Sequence, residues 1–207
     1  MTLAIIAGQY RGLKLHLPPP IVARPTAALV REALFSILAD RVPGARVLDL
    51  FAGSGALGLE AFSRGAERVV FMERHIAAFK VLKANLALFP PDSPLLARLG
   101  AVPRALTGIH GQFDLILMDP PYGTTLPPLA FLNSPLSASH LAPGGLLVWE
   151  LDPKTLDFFL ERGFPPEWTL VDRRRWSGKA CAFLERGASA GEGDGGDGGE
   201  PEISGAP

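Results

Sequence analysis

Asp119-Pro120-Pro121-Tyr122 follows directly on the apolar run Phe113-Asp114-Leu115-Ile116-Leu117-Met118. An exocyclic amine on an aromatic base is a weak nucleophile, because its lone pair is delocalised into the ring. A site can localise that pair by accepting hydrogen bonds from the amine N–H groups. Asp119 offers one acceptor and the Pro120 carbonyl another. Proline at 120 and 121 fixes φ and removes a backbone donor, so the corner is stiff and presents acceptors only, organised ahead of the reaction. Tyr122 is placed to stack on the target base. Extruding a base costs a few kcal/mol, and one base–aromatic stack contributes about 1–3 kcal/mol. The two nearly cancel, so a looped or bulged nucleotide suits this site better than one in a firm helix. The plain alternative is a Pro-Pro-Tyr-Gly turn without chemistry.

The second informative stretch is Asp49-Leu50-Phe51-Ala52-Gly53-Ser54-Gly55-Ala56-Leu57-Gly58, a strand end, a glycine-rich turn and a helix start. Gly53, Gly55 and Gly58 fit G-x-G-x-x-G, in which glycines let the backbone approach a ligand and the helix start offers free N–H groups. A P-loop is excluded, because no Gly-Lys-Ser/Thr follows. Asp49 narrows the choice further. A carboxylate there repels the pyrophosphate of a dinucleotide but suits the cationic amino-acid end of S-adenosylmethionine. Glu73, followed by Arg74, closes the next strand where an acid would hold ribose hydroxyls; NAD enzymes place an acid there too, so Glu73 does not discriminate and this region favours S-adenosylmethionine over NAD only through Asp49. The strand after it ends Leu99-Gly100-Ala101-Val102 without an acid, leaving backbone groups of Gly100 and Ala101 to flank an adenine. The expected cofactor set is therefore Asp49, Phe51, Ala52, Gly53, Ser54, Gly55, Glu73, Arg74, Gly100 and Ala101.

These motifs need a scaffold that brings strand ends together. Short strands around Ala4–Gly8 and Leu13–Leu17 flank a basic turn, and a helix is expected over 26–39, capped by Thr26. From Arg46 the pattern alternates. Strands are expected over 47–50, 68–72, 95–99, 113–118 and 145–150, and helices over 57–64, 76–89, partly over 129–141, and over 154–162. A closing hairpin of 168–171 and 180–184 surrounds Arg173–Lys179. Such alternation implies an α/β fold of Rossmann-like type, a mostly parallel seven-stranded sheet covered on both faces. Its ligands bind at carboxyl strand ends, where strand order reverses. Glu150 ends one of these strands and is read as either structural or pocket-lining.

Composition sets the limits. The chain has 207 residues, 47% of them hydrophobic, enough for one domain with a core of its own. Cys181 is the only cysteine, which excludes a disulfide framework, and its apolar neighbours mark a buried strand position. The four histidines are scattered without ligand spacing, so no metal is expected. No apolar run is long enough for a membrane span, and Met1–Gly8 is too short for a signal peptide; a cytoplasmic monomer is expected. The net charge of −1 hides an asymmetry: setting aside the five acids of residues 187–207 leaves the body at +4. That glycine-rich tail is expected to be disordered. Residues 1–42 read as an added substrate-contacting extension and 43–186 as the catalytic domain. Arg11, Lys14, Arg174 and Arg175 are candidate phosphate contacts, which would position a nucleic acid without reading its sequence.

The chain resembles the RsmD-type methyltransferases, which modify the N2 amine of a guanine in bacterial 16S rRNA. The resemblance covers about residues 3–185. Its specific part is Ile5-Ile6-Ala7-Gly8 with Arg11-Gly12, then Arg24-Pro25-Thr26 and Val30-Arg31-Glu32-Ala33-Leu34-Phe35. The glycine turn and D-P-P-Y are shared with DNA adenine-N6 enzymes. The resemblance implies S-adenosylmethionine as cofactor and 16S rRNA of the small ribosomal subunit as partner. It also implies substrate contacts from Arg24, Thr26 and Arg31. The chain departs from the family block at Ala27-Ala28-Leu29, where members carry polar residues including an Asp. The competing readings are an adenine-N6 DNA methyltransferase and a non-catalytic RNA-binding module.

Overall fold

The computed structural model describes residues 3–18, 28–121, 126–176 and 178–187. Arg24, Thr26, Tyr122 and the acidic tail beyond Gly187 lie outside them.

A two-stranded antiparallel sheet opens the chain, β1 (Leu3–Ala4) with β2 (Lys14–Leu15), followed by α1 (Ala28–Ile37). Then come β3 (Arg46–Leu50), α2 (Ala56–Ser63), β4 (Arg68–Glu73), α3 (Ile76–Leu86), β5 (Leu95–Leu99) and β6 (Phe113–Met118). The chain continues through α4 (Leu126–Leu132), α5 (Pro135–His140), β7 (Leu141–Leu151), α6 (Pro153–Arg162), β8 (Trp168–Trp176) and β9 (Lys179–Arg186). The seven-stranded sheet runs β5-β4-β3-β6-β7-β9-β8. The first five strands are parallel, and β9 joins β7 and β8 antiparallel. Strand order reverses between β3 and β6, so their carboxyl ends form the crevice of the fold.

The central strands are near-continuous apolar runs because both faces are covered. Period-two alternation assigns the faces. Val47, Phe71, Leu115, Leu117 and Val148 share one cluster with Leu34 and Phe35 of α1 and Leu57 and Leu59 of α2. Leu48, Val70, Ile116, Leu147 and Trp149 face Phe131 and Leu132 of α4 and Leu156 and Phe159 of α6. Leu3, Ile5 and Leu15 join the first cluster, so the segment before residue 43 packs on the same core as the sheet. Full burial of each such side chain stabilises by about 1.5–3 kcal/mol.

Several elements differ from the sequence expectation: β1 and β2 are two residues each, and β7 begins at Leu141 rather than 145. The helical stretch after 129 divides at Asn133, where Ser134 caps α5 through the Leu136 N–H. Helix α3 stops at Leu86 rather than 89, since Phe89 precedes Pro90 and a residue before proline disfavours the helical region. The closing hairpin is longer than expected. Arg173, Arg174 and Arg175 belong to β8 and not to its turn. An edge strand has one unpaired side, where charged side chains are an advantage, and this hid the strand from a hydrophobicity reading. Among the described residues no helix is long and apolar enough to cross a membrane.

Candidate functional site

Four strand ends each carry an acid on the face that packs against α1 and α2. Asp49 follows the alternation of Val47 on β3, Glu73 that of Phe71 on β4, Asp119 that of Leu117 after β6, and Glu150 that of Val148 on β7. Met118 pairs with Trp149, so Asp119 and Glu150 stand level; Asp49 pairs with Phe71 and Leu117, one pleat below Glu73 and Asp119.

Asp49 is 1% exposed and its Oδ2 accepts from the Gly58 N–H at 2.9 Å. Burial pushes its carboxyl up to about 8; the Gly58 N–H opposes this, while Asp119 and Glu73 add to it. Glu73, also buried, holds the glycine turn to β4. Its Oε2 accepts from Gly53 N–H at 2.8 Å and its Oε1 from His75 N–H at 2.7 Å. Gly55 and Gly58 are required as glycines. Gly55 has φ +82°, and a Cβ there would meet Leu82 Cδ1 at 2.6 Å. A Cβ on Gly58 would meet Phe71 Cε1 at 2.3 Å, so only glycine lets α2 lie this close to β4. Ala52, Gly53, Ser54 and Gly55 are buried. Phe51 has φ 61°, a left-handed conformation that is strained for a side chain of this size.

Above the turn lies a cleft of about 260 Å³ lined by Phe51, Arg74, Ala101, Val102, Pro127 and Ala130. Glu73 and the Gly100 strand end border it, the Gly100 N–H donating to the Glu73 carbonyl at 2.8 Å. Arg74 is exposed and donates to His75 Nε2 at 3.1 Å. The cleft's walls are mostly apolar, which suits a flat ring system. The structure thus brings Phe51, Arg74 and Ala101 together around one opening, while Glu73 holds the glycine turn beside it.

Asp119 and Pro120 are half-buried at the mouth of the crevice and Pro121 is exposed. The carboxyl of Asp119 contacts that of Glu150, which is 3% exposed and also hydrogen-bonded to Lys179 Nζ. Burial raises Glu150 to about 7, Asp119 adds to the rise and Lys179 opposes it. Cys181 stands directly opposite Glu150 on β9 and is buried, its thiol pushed up by burial and by the nearby carboxylates.

Of the candidate basic residues, Arg174 lies in register with Cys181 and Glu150, two strands away from the latter. Arg11 and Lys14 are exposed on the N-terminal hairpin. Arg174 pairs with Asp172 at 2.8 Å, and Arg175 pairs with Asp157. They alternate on β8 and so project to opposite faces. Arg31 is corrected from a substrate contact to an interior residue. It is 1% exposed, its Nη2 donates to the Ala4 carbonyl at 2.6 Å, and its Nε lies 3.6 Å from Glu60 Oε2. Leu29, in the departing part of the family block, is 79% exposed.

Glu60 and Asn85 were not singled out in the sequence. Glu60, fully buried, accepts from the Ile6 and Ala7 N–H groups at 2.8 and 3.1 Å and from Arg64 Nε at 2.8 Å. Asn85 donates to the Ser54 and His16 carbonyls at 2.8 and 3.0 Å and accepts from the His16 N–H at 2.7 Å. The available signal was a polar residue on the apolar face of a helix. Among the described residues no cluster of three or more histidine, cysteine or acidic side chains is arranged to hold a metal.

The family described as Conserved hypothetical protein 95 matches residues 3–185. The chain belongs to this family, the RsmD group that its motifs resemble. It is 40% identical over 118 residues to ribosomal RNA small subunit methyltransferase D of Escherichia coli K12, covering 57% of this chain and 59% of that protein. The chain thus matches about three-fifths of that relative's length. The Haemophilus influenzae protein of the same name is 32% identical over 175 residues, 82% of this chain and 86% of its own. A hypothetical protein from Thermus thermophilus superimposes with a TM-score of 0.69 at 31% identity, over 88% of this chain and 99% of that one.

Proposed function

We propose that this protein transfers a methyl group from S-adenosylmethionine to the exocyclic N2 amine of a guanine in 16S rRNA, of the position-966 type. The substrate would be an assembled or assembling small ribosomal subunit, and the location cytoplasmic. One observation carries the reading. A proline-stiffened acceptor corner stands at the strand-order reversal, where neighbouring strand ends carry the buried acids Asp49 and Glu73. Relatives named as small-subunit rRNA methyltransferases support the RNA substrate.

The residues present fit the cofactor. Asp49 and Glu73 are buried acids whose charges reach one another, which favours a cationic ligand, and Phe51, Ala101 and Val102 line an apolar cleft. Bound there, S-adenosylmethionine would supply an electrophilic methyl that the amine attacks directly, the N–C bond forming as the C–S bonding pair leaves on sulfur. Asp119 and the Pro120 carbonyl accept the two amine N–H bonds and turn the nitrogen lone pair toward that methyl. After transfer the nitrogen sheds one proton, which Asp119 receives and passes to solvent. Tyr122 is assigned the stacking contact that holds the guanine. Gly100 and Ala101 provide backbone at the adenine edge. RNA phosphates are assigned to Arg11, Lys14, Arg174 and Arg175, with Arg24 and Thr26 nearer the reacting base.

The test is methyl transfer to small-subunit particles, naked 16S rRNA and DNA in parallel. Label in guanine N2 of 16S rRNA is the expected result. Label only in DNA adenine would replace this reading with the adenine-N6 one. Tight RNA binding without label on any substrate would favour the non-catalytic module.

A further inference from the structure

The acceptor corner does not stand alone. Glu150 lies level with Asp119 on the neighbouring strand, and the two carboxyl groups touch. Glu150 is 3% exposed; one oxygen is held by Lys179, whose side chain is itself only 17% exposed. The other oxygen, Oε2, is buried and meets no hydrogen-bond donor among the described residues. A carboxylate in that position would have a buried, unsatisfied acceptor beside a second negative charge. One proton removes both problems, because a protonated Glu150 donates to Asp119 and two carboxyl groups in contact share a proton more readily than they both ionise.

We propose that Glu150 is a positioning residue for amine methylation: protonated, and anchored by Lys179 from β9, it donates a hydrogen bond that aims the Asp119 carboxylate at the target amine. The inference rests on the reading of Asp119 as the amine acceptor. Lys179 fixes the rotamer of Glu150, the shared proton fixes one oxygen of Asp119, and the second Asp119 oxygen is the one that accepts the amine N–H. The groups facing Glu150 are Asp119 after β6, Lys179 and Cys181 on β9, and, through Asp119, Asp49 on β3. Burial and Asp119 keep Glu150 protonated up to about pH 7. Above that pH the bridge is lost and two adjacent carboxylates repel.

The variants are Glu150→Gln and Glu150→Ala, with kcat measured on small-subunit particles from acid to alkaline pH and cofactor affinity measured by calorimetry. Glutamine reproduces the proposed state, its carbonyl accepting from Lys179 and its NH₂ donating to Asp119. E150Q should stay within about threefold of the native kcat, while E150A falls about fifty-fold or more at unchanged cofactor affinity. The native enzyme should lose kcat as pH rises through about 7, and E150Q should not. A carboxylic-acid carbonyl band in the infrared spectrum that is lost over the same pH range and missing from E150Q, beside the separate band of protonated Asp49 that E150Q retains, reports the Glu150 proton without any substrate. E150Q as impaired as E150A, an alkaline decline that persists in E150Q, or no such infrared band would each overturn the proposal. If the native protein methylated neither RNA nor DNA, the underlying reading of the site would fail instead, and the infrared band would still decide whether Glu150 holds the proton.

Discussion

Asp119 and Asp49 sit in one acid row and are asked to do different things. In the proposed reaction Asp119 accepts from the substrate, so Asp119→Ala should lower turnover about 10²–10³-fold, the range seen when one organised polar contact to a transition state is removed. Cofactor affinity by calorimetry should change only a few-fold; equal loss of both would assign Asp119 to the cofactor. Asp49 is held by the fold in a state it does not favour in water. Its folded-state value is raised from 3.8 to about 8, so the native protein binds more protons than the unfolded chain between those limits. Stability from this group is therefore full below about pH 4 and is lost as pH rises toward 8. Asp49→Asn keeps the acceptor for the Gly58 N–H and removes the charge. Calorimetric scans of the free protein should show a higher melting temperature for D49N than for the native chain at pH 8, and a smaller difference at about pH 5. Cofactor affinity should fall in the same variant, a trade of stability for binding.

At the scale of elements, the glycine turn is fixed from three sides: Glu73 from β4, Asn85 from α3 and the helix start of α2. The N-terminal hairpin is fixed by Glu60 and Arg31. Glu60→Ala should destabilise the protein by about 3–5 kcal/mol in denaturant unfolding, because it leaves the buried Arg31 without a counter-charge. Asn85→Ala should cost about 1–3 kcal/mol through the unsatisfied Ser54 and His16 groups, and should also weaken cofactor binding by loosening the turn. A stability loss for Asn85→Ala with unchanged cofactor affinity would confine it to the hairpin. The parallel strands were legible because buried strands of this kind read as apolar runs, and the turn was legible because only glycine fits it. The polar anchors were not: Glu60 and Asn85 look like ordinary surface positions until their partners on the N-terminal hairpin, 53 to 69 residues away in sequence, are brought to them. Arg31 was misplaced for the same reason, a cation on a helix whose facing partners lie on β1 and α2. The length of β8 was hidden because its alternation is arginine against arginine.

At the scale of the molecule, the sheet order explains why two motifs far apart in sequence lie together. Strands β3 and β6 are neighbours at the reversal of strand order, so the glycine turn and the proline corner open on one crevice. The sequence showed which strand ends carry acids; it could not show that Glu150 would stand level with Asp119, because register is a property of the assembled sheet. The candidate phosphate contacts Arg11, Lys14, Arg174 and Arg175 are divided between the N-terminal hairpin and the edge strand β8, a layout that would suit an extended surface better than a single nucleotide. The central claim is that this crevice methylates a guanine amine of the small-subunit rRNA. It is tested most directly by mapping methyl groups, by mass spectrometry, in 16S rRNA from cells that lack the protein and then regain either the native chain or Asp119→Ala. One guanine N2 methyl that disappears, returns with the native chain and stays absent with the variant is the predicted result. An rRNA methylation map identical in all three cell lines would contradict it.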